Sequence, residues 1–398
     1  MTWQRLSIAG CLVALFAVGS AQATEKQRGR LSGETKSQTF PASANGTLIL
    51  SSYEGEIRIN VRQQNEVSIS VDGIGTDDLD ELEMRQDGKR IIVDYRPNNR
   101  RWASRTRFRV DLPADYNLDL KTGGGDIEII GTLIGEIRGD TSGGDITLDD
   151  VEGEVDMNTS GGDIRTGKIS GQGFLRTSGG DIRVQEGTDI LDIHTSGGDI
   201  TVGNAGNRIE ARTSGGDITI ADVAGEARIA TSGGDIEVGR IASGARITTS
   251  GGDIQLRSAS GEVRASTAGG DLELENVTGS VDARTAGGDI FVELTPSGSA
   301  RSSMITQSGN IALHIDANAA VTIEAQIRTN GRSGRSRRRG YDRDDDREFE
   351  IRSDFSSAQY DEDESGDINA VYNLNGGGAR ITLETRDGNI DIRRLGRN

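Results

Sequence analysis

The sequence predicts an all-β protein, a single-stranded β-solenoid of β-helix or β-roll type, right- or left-handed, with about 18 residues per coil and β-rich caps at both ends. Three observations predict it. Ten Gly-Gly-Asp triplets place aspartates at 126, 145, 163, 181, 199, 217, 235, 253, 271 and 289, with one interval of 19 residues and eight of 18. A unit that short cannot enclose a core, so each copy reads as one rung of a stack. Aliphatic residues recur at fixed offsets inside every copy. Glycine occurs 56 times in 398 residues, proline 4 times, and aromatics make up 4%. That composition suits a narrow bore lined by small and aliphatic side chains better than a conventional globular core.

Taken in order, the first 23 residues read as an export signal. A charged start ends at Arg5, an apolar run spans Leu6 to Val18, and Ala21-Gln22-Ala23 supplies a small-x-small cleavage site. The mature chain then begins near Thr24. Ile8-Ala9-Gly10-Cys11 also matches a lipoprotein box that would acylate Cys11, but the apolar run continues beyond it, which favours ordinary cleavage. Cys11 is the only cysteine, so the mature chain holds no disulfide and its stability must come from stacking. Nothing after residue 23 approaches the length of an apolar spanning helix. The formal charge of −18 becomes −19 once Arg5 is lost, which argues against general affinity for nucleic acid or anionic lipid.

Residues 24–44 are polar and read as a flexible leader. From 45 to 120, alternating runs such as Glu56-Ile57-Arg58-Ile59 and Phe108-Arg109-Val110-Asp111-Leu112 predict a β-rich module that caps the first edge of the array. The array itself occupies 121–327. With each triplet Asp as position zero, Thr stands at minus four in all ten copies, and plus one is Ile in nine and Leu272 in the tenth. Plus three is Ile, Leu or Val in nine copies and Thr166 in the other. A second apolar pair follows at plus ten and plus twelve, as in Leu191 and Ile193. Charged residues between them, Asp192, Glu210, Arg228, Arg246 and Arg264, face water. Each rung is expected to hold two short strands and two turns, with facing sheets about 10 Å apart and rungs stacked at about 4.8 Å. Residues 328–365, with six arginines from Arg328 to Arg339 and acidic runs beyond, predict a disordered charged insertion. Residues 366–398 predict C-terminal capping coils.

The aspartate column is the main candidate for chemistry. Carboxylates about 5 Å apart repel by roughly 0.8 kcal/mol per pair in water, so something must offset them. Backbone N–H groups of the same corner would do so. Calcium held by carboxylates and glycine carbonyls is the sharper alternative, with Asp145, Asp163, Asp181, Asp199, Asp217, Asp235 and Asp253 as candidate ligands. Gly161, Gly162, Gly179, Gly180, Gly197, Gly198, Gly215 and Gly216 are the expected structural corners, with positive φ in at least one residue of each pair. The threonines would form a hydroxyl ladder, or an outward row fit for ice or a polysaccharide. No catalytic residue and no cofactor other than calcium is indicated. With two histidines and no mature cysteine, the usual nucleophile–base pairs are scarcely available.

Tyr53-Glu54-Gly55-Glu56-Ile57-Arg58-Ile59, Val110-Asp111-Leu112-Pro113, the Thr-Ser-Gly-Gly-Asp-Ile repeats and the closing stretch from Gly376-Gly377-Gly378-Ala379 to Ile392 give the chain a resemblance to an uncharacterised family. It resembles the exported bacterial β-solenoids with Gly-Gly-Asp repeats that are described as adhesins, over roughly residues 45–325 and 366–395. The resemblance implies an architecture and an adhesive role, and brings no catalytic or binding residues with it. The expected function is that of a non-enzymatic protein of the periplasm, cell envelope or exterior, presenting a regular acidic surface for adhesion or scaffolding. A cell-surface polysaccharide or protein would be the partner. The alternatives are a polysaccharide-acting enzyme using paired carboxylates, and a calcium-dependent binding module.

Overall fold

Isoleucines at one offset of a strict repeat can all point inward only if successive copies stack in register, and they do. The computed structural model describes residues 33–98, 106–329, 349–363 and 366–396, all within a unit spanning Gly33–Asn398. The export signal, Cys11, the start of the leader, and residues 330–348 of the charged block lie outside the described residues. Along the array, parallel strands pair residue for residue across the repeat: Ile182 with Ile200, Ile200 with Ile218, Ile218 with Ile236. The plus-ten column does the same, Leu191 with Ile209 and Ile209 with Ala227. Each of these side chains is buried, while the residues between them face outward.

The expected solenoid is corrected by the sheet itself. The 35 strands of the described residues join one hydrogen-bonded sheet that wraps 338° round its axis as a near-complete barrel, in place of an open coil with two facing sheets. Two features account for it. A third apolar column lies at plus six, where Val223, Ile241, Ala259 and Val277 pair in turn and are buried, so strands such as Ile236–Ile241 carry inward residues at both ends. Pairing also continues through the corner at plus eight: Ile254–Ser266 and Leu272–Arg284 are single strands of 13 residues that match Ser260 to Thr278, Gly261 to Gly279 and Glu262 to Ser280. Gly261 and Gly279, with φ of 126° and 143°, supply a bend that other residues rarely adopt.

The stack extends past the triplets at both ends. Gly46–Ser52 and Glu56–Val61 form a rung without the Gly-Gly-Asp signature, since Leu48 pairs with Leu118 and Ile57 with Ile127. The chain then makes an excursion whose strands Arg90–Tyr95 and Arg107–Leu112 pair with the outer side of that rung. Glu34–Pro41, within the expected flexible leader, is instead a strand antiparallel to Glu66–Ile74. Phe40 is its one buried side chain, giving a stretch that reads as polar a reason to dock.

At the far end, Ala379–Thr385 and Ile390–Arg394 do not form the outermost layer. They pair with Ser302–Ile305 and Ile311–Ile315 on one side, and with Val321–Ile327 and Ile351–Ser353 on the other. Ile351–Ser353 and Gln359–Glu362, both within the expected disordered insertion, are strands; the second adds an antiparallel edge to Ile368–Leu374 with every residue exposed. Its Asp361 and Glu362 place charge on an edge that other chains could otherwise extend.

Inward positions are not uniform in size, and large residues cover for small ones. A Cβ on Gly187 would lie 2.6 Å from Leu191 Cδ1, and one on Gly173 2.8 Å from Leu191 Cδ2, so this one leucine fills the space beside two glycines. Leu191→Ala should therefore destabilise by about 3–5 kcal/mol, the upper part of the range for buried leucines, because neither glycine can refill the hole. Urea unfolding of the variant beside Ile220→Ala, whose column has no such glycines, checks the size of the effect.

Candidate functional site

The Gly-Gly-Asp corners, where the recurring polar groups gather, are built from three cross-rung hydrogen bonds. Thr177 Oγ1 donates to the Gly162 carbonyl of the preceding corner at 2.8 Å and accepts the Gly180 amide of its own at 3.3 Å. The Asp181 amide donates to Asp163 Oδ1 at 2.8 Å, and Asp181 Oδ1 accepts the Asp199 amide at 2.9 Å. The Ile164 amide donates to the Asp181 carbonyl at 2.8 Å. Threonine makes its contact in every corner from Thr122 to Thr385, at 2.8–2.9 Å. These threonines are buried, so they form no outward row for ice or a polysaccharide.

The two glycines of a corner have different duties. A Cβ on Gly162, Gly180, Gly198 or Gly216 would stand 2.0–2.1 Å from the carbonyl oxygen of the equivalent glycine one rung earlier, which no side chain can occupy. The same atom on Gly161, Gly179, Gly197 or Gly215 would meet its nearest neighbour at 3.5–3.6 Å, an ordinary contact. The positive φ expected there is absent from both members of these pairs. Glycine is demanded by how closely one rung approaches the next, and not by a left-handed turn.

The carboxylates are held by the following corner, not by their own. From Asp126 to Asp289 each Oδ1 accepts the amide of the next aspartate, and the chain of bonds passes on through Asn310 to the Asn389 amide, at 2.7–2.9 Å throughout. An N–H dipole aimed at each carboxylate offsets the repulsion along the column. The Asp199 amide, opposed by burial and aided by Arg183 at 3.0 Å, holds the Asp181 carboxyl below the usual carboxylate value. The seven calcium candidates thus stand in single file, each with one oxygen committed to the backbone. Among the described residues no group of three or more His, Cys, Asp or Glu is gathered to hold a metal ion.

Outside the corners, charged side chains lie in registered columns. Arg138 pairs with Asp156 at 3.4 Å, Arg176 with Asp192 at 3.4 Å, and Lys168 with Glu186 at 2.8 Å. Glu210 is taken by both Arg208 and Arg212. One column then turns basic: Arg228, Arg246 and Arg264 are paired across consecutive strands, beyond Glu210 and before Asp282. The pattern of the sequence marks these arginines as outward residues, and their shared offset of 18 is the signal that they face one another. His194 is exposed, whereas His314 packs edge-on against Phe291 at 4.9 Å.

Two outcomes test the corner. Gly198→Ala should lower the melting temperature sharply or prevent folding, while Gly197→Ala should leave it within a few degrees, read by circular dichroism. Asp181→Ala should cost about 1–3 kcal/mol by leaving the Asp199 amide without its acceptor, and Asp181→Asn less, since its carbonyl can still accept. A carboxyl held low in the folded state adds stability above its unfolded pKa, and that stability is lost as pH falls through the lower folded value. Urea unfolding from neutral to acid pH should accordingly show a shallower acid loss in Asp181→Asn than in the parent.

No curated protein matches the sequence. Among solved structures, a candidate adhesin from Parabacteroides distasonis is 13% identical, with 67% of this chain and 95% of that one covered, at a TM-score of 0.31. A candidate adhesin from Parabacteroides merdae is likewise 13% identical, covering 66% and 92%, at 0.28. A candidate lipid-binding protein from Parabacteroides distasonis is 14% identical, covering 72% and 92%, at 0.24. Superpositions that loose carry no argument about this chain. The family model Toastrack DUF4097, by contrast, matches residues 48–221 and 205–332, most of the sequence, and the protein belongs to that family.

Proposed function

We propose that this chain is a non-catalytic exported protein of the envelope or exterior, which holds a regular charged surface for adhesion or scaffolding. One observation carries the reading: the most repeated ionisable group, the corner aspartate, is used from Asp126 to Asp289 as an acceptor for backbone amides in one unvarying geometry. Acid–base chemistry on a glycan would need two carboxyls in contrasting environments. What the repeat does vary from rung to rung is the outward side chain, which is where a binding surface would be written. Export is supported by the signal-like residues 1–23, and no helix of the described residues is long and apolar enough to cross a membrane.

Fluorescently labelled full chain should be retained on intact bacterial or host cells and should leave acidic and neutral polysaccharides at their original chain length. Depolymerisation that disappears in the Asp181→Ala/Asp199→Ala variant would replace this reading with the enzyme.

A further inference from the structure

The basic column carries more than an outward face requires. Like charges directly opposite on neighbouring strands are unfavourable, yet Arg228, Arg246 and Arg264 occupy three consecutive rungs of an acidic protein whose formal charge is −18. The acids that flank them in the column are engaged elsewhere, and Glu226 beside them makes no ion pair with either Arg228 or Arg246. Glu210 is held by Arg208 and Arg212, and Asp282 by Arg284 at 2.9 Å. Glu262 pairs with Arg264 at 2.7 Å. Among the described residues, Arg228 and Arg246 are left with no ion pair and no hydrogen bond, and both are exposed. Beside them Gly244 interrupts a column that holds Glu226 on one rung and Glu262 on the other, and the missing side chain opens a shallow depression of about 300 Å³. It is lined by the three arginines, by Glu226 and Glu262, and by Ala227, Gly244 and Ala245.

We propose that this depression binds an acidic polysaccharide bearing a carboxylate on each sugar, with Arg228 and Arg246 each pairing with a carboxylate. The inference rests on the binding reading proposed above. Guanidinium groups recur at the rung spacing of about 4.8 Å, so neighbouring cations can each make a charge-assisted pair with a carboxylate of one extended chain. Glu226 adds an acceptor suited to sugar hydroxyls. Nucleic acid fits worse, because a charge every ~1.7 Å of duplex would press against the glutamates, and the lining has no aromatic ring on which bases could stack. A membrane surface fits worse too, since the apolar residues here, Ala227 and Ala245, are small and buried.

The test is calorimetric titration of the full chain with polygalacturonate, alongside dextran, single-stranded DNA and phosphatidylglycerol vesicles. Polygalacturonate should bind in a salt-sensitive manner and dextran should not. Arg228→Gln/Arg246→Gln should weaken binding by about tenfold or more, the loss expected from two charge-assisted contacts, with an unchanged melting temperature. Arg138→Gln/Arg176→Gln, in arginines already paired with aspartates, should bind as the parent does. Equal binding by the Arg228/Arg246 variant, or tighter binding of DNA or vesicles than of polygalacturonate, would overturn the proposal. Cell retention by a parent chain that shows no affinity for polygalacturonate would overturn this site and leave the adhesive reading intact.

Discussion

The closeness with which one corner lies on the next governs this molecule. Gly198 can hold no side chain because the Gly180 carbonyl stands 2.1 Å from where its Cβ would be, and that same approach brings Thr195 within 2.9 Å of the Gly180 carbonyl and the Asp199 amide within 2.9 Å of Asp181 Oδ1. Glycine, threonine and aspartate recur together because each completes what the others begin. Glycine permits contact, threonine satisfies the buried carbonyl and amide that contact creates, and aspartate caps the amide left at the exposed side. A buried polar backbone group without a partner costs about 1–3 kcal/mol, so the triplet motif is a solution to backbone accounting before it is anything else.

Much of this was legible in the residues, and the parts that were not fail for identifiable reasons. The period and the inward columns at plus one, plus three, plus ten and plus twelve could be counted directly, as with Ile218, Ile220, Ile209 and Ala211, all of which are buried. The column at plus six was missed because it holds Gly187, Ala205 and Val223 in succession, a series whose small members carry little hydropathic signal. Without it the rung looked two-sided, and the closure of the sheet into a barrel was out of reach. The corner glycines look like turn formers in the sequence because composition alone cannot separate a residue chosen for its φ from one chosen for the absence of a Cβ. Glu34–Pro41 looked like a leader because its polar residues outnumber the single anchoring Phe40.

The division of labour between inside and outside gives the surface unusual freedom. Corner and bore fix the backbone, so an outward residue can change without disturbing the stack, as the run Glu210, Arg228, Arg246, Arg264, Asp282 shows in one column. Exposed ion pairs such as Arg138 with Asp156 contribute little stability, about 0–1 kcal/mol. Their value lies in cancelling charge locally, which leaves Arg228 and Arg246, neighbours in one column, without that cancellation.

The placement of Ala379–Thr385 between Ser302–Ile305 and Val321–Ile327 also has a bearing on assembly. A ribosome delivers Val321–Ile327 well before the strand on which it rests, so the outer layer must wait, held only by its antiparallel neighbour Ile368–Leu374, until the later segment slides into the gap. Rungs earlier in the array can zip onto the previous one as they emerge. The distal end must instead be closed like a drawer, and the inner edge of Val321–Ile327 stays unpaired until Ala379–Thr385 is in place.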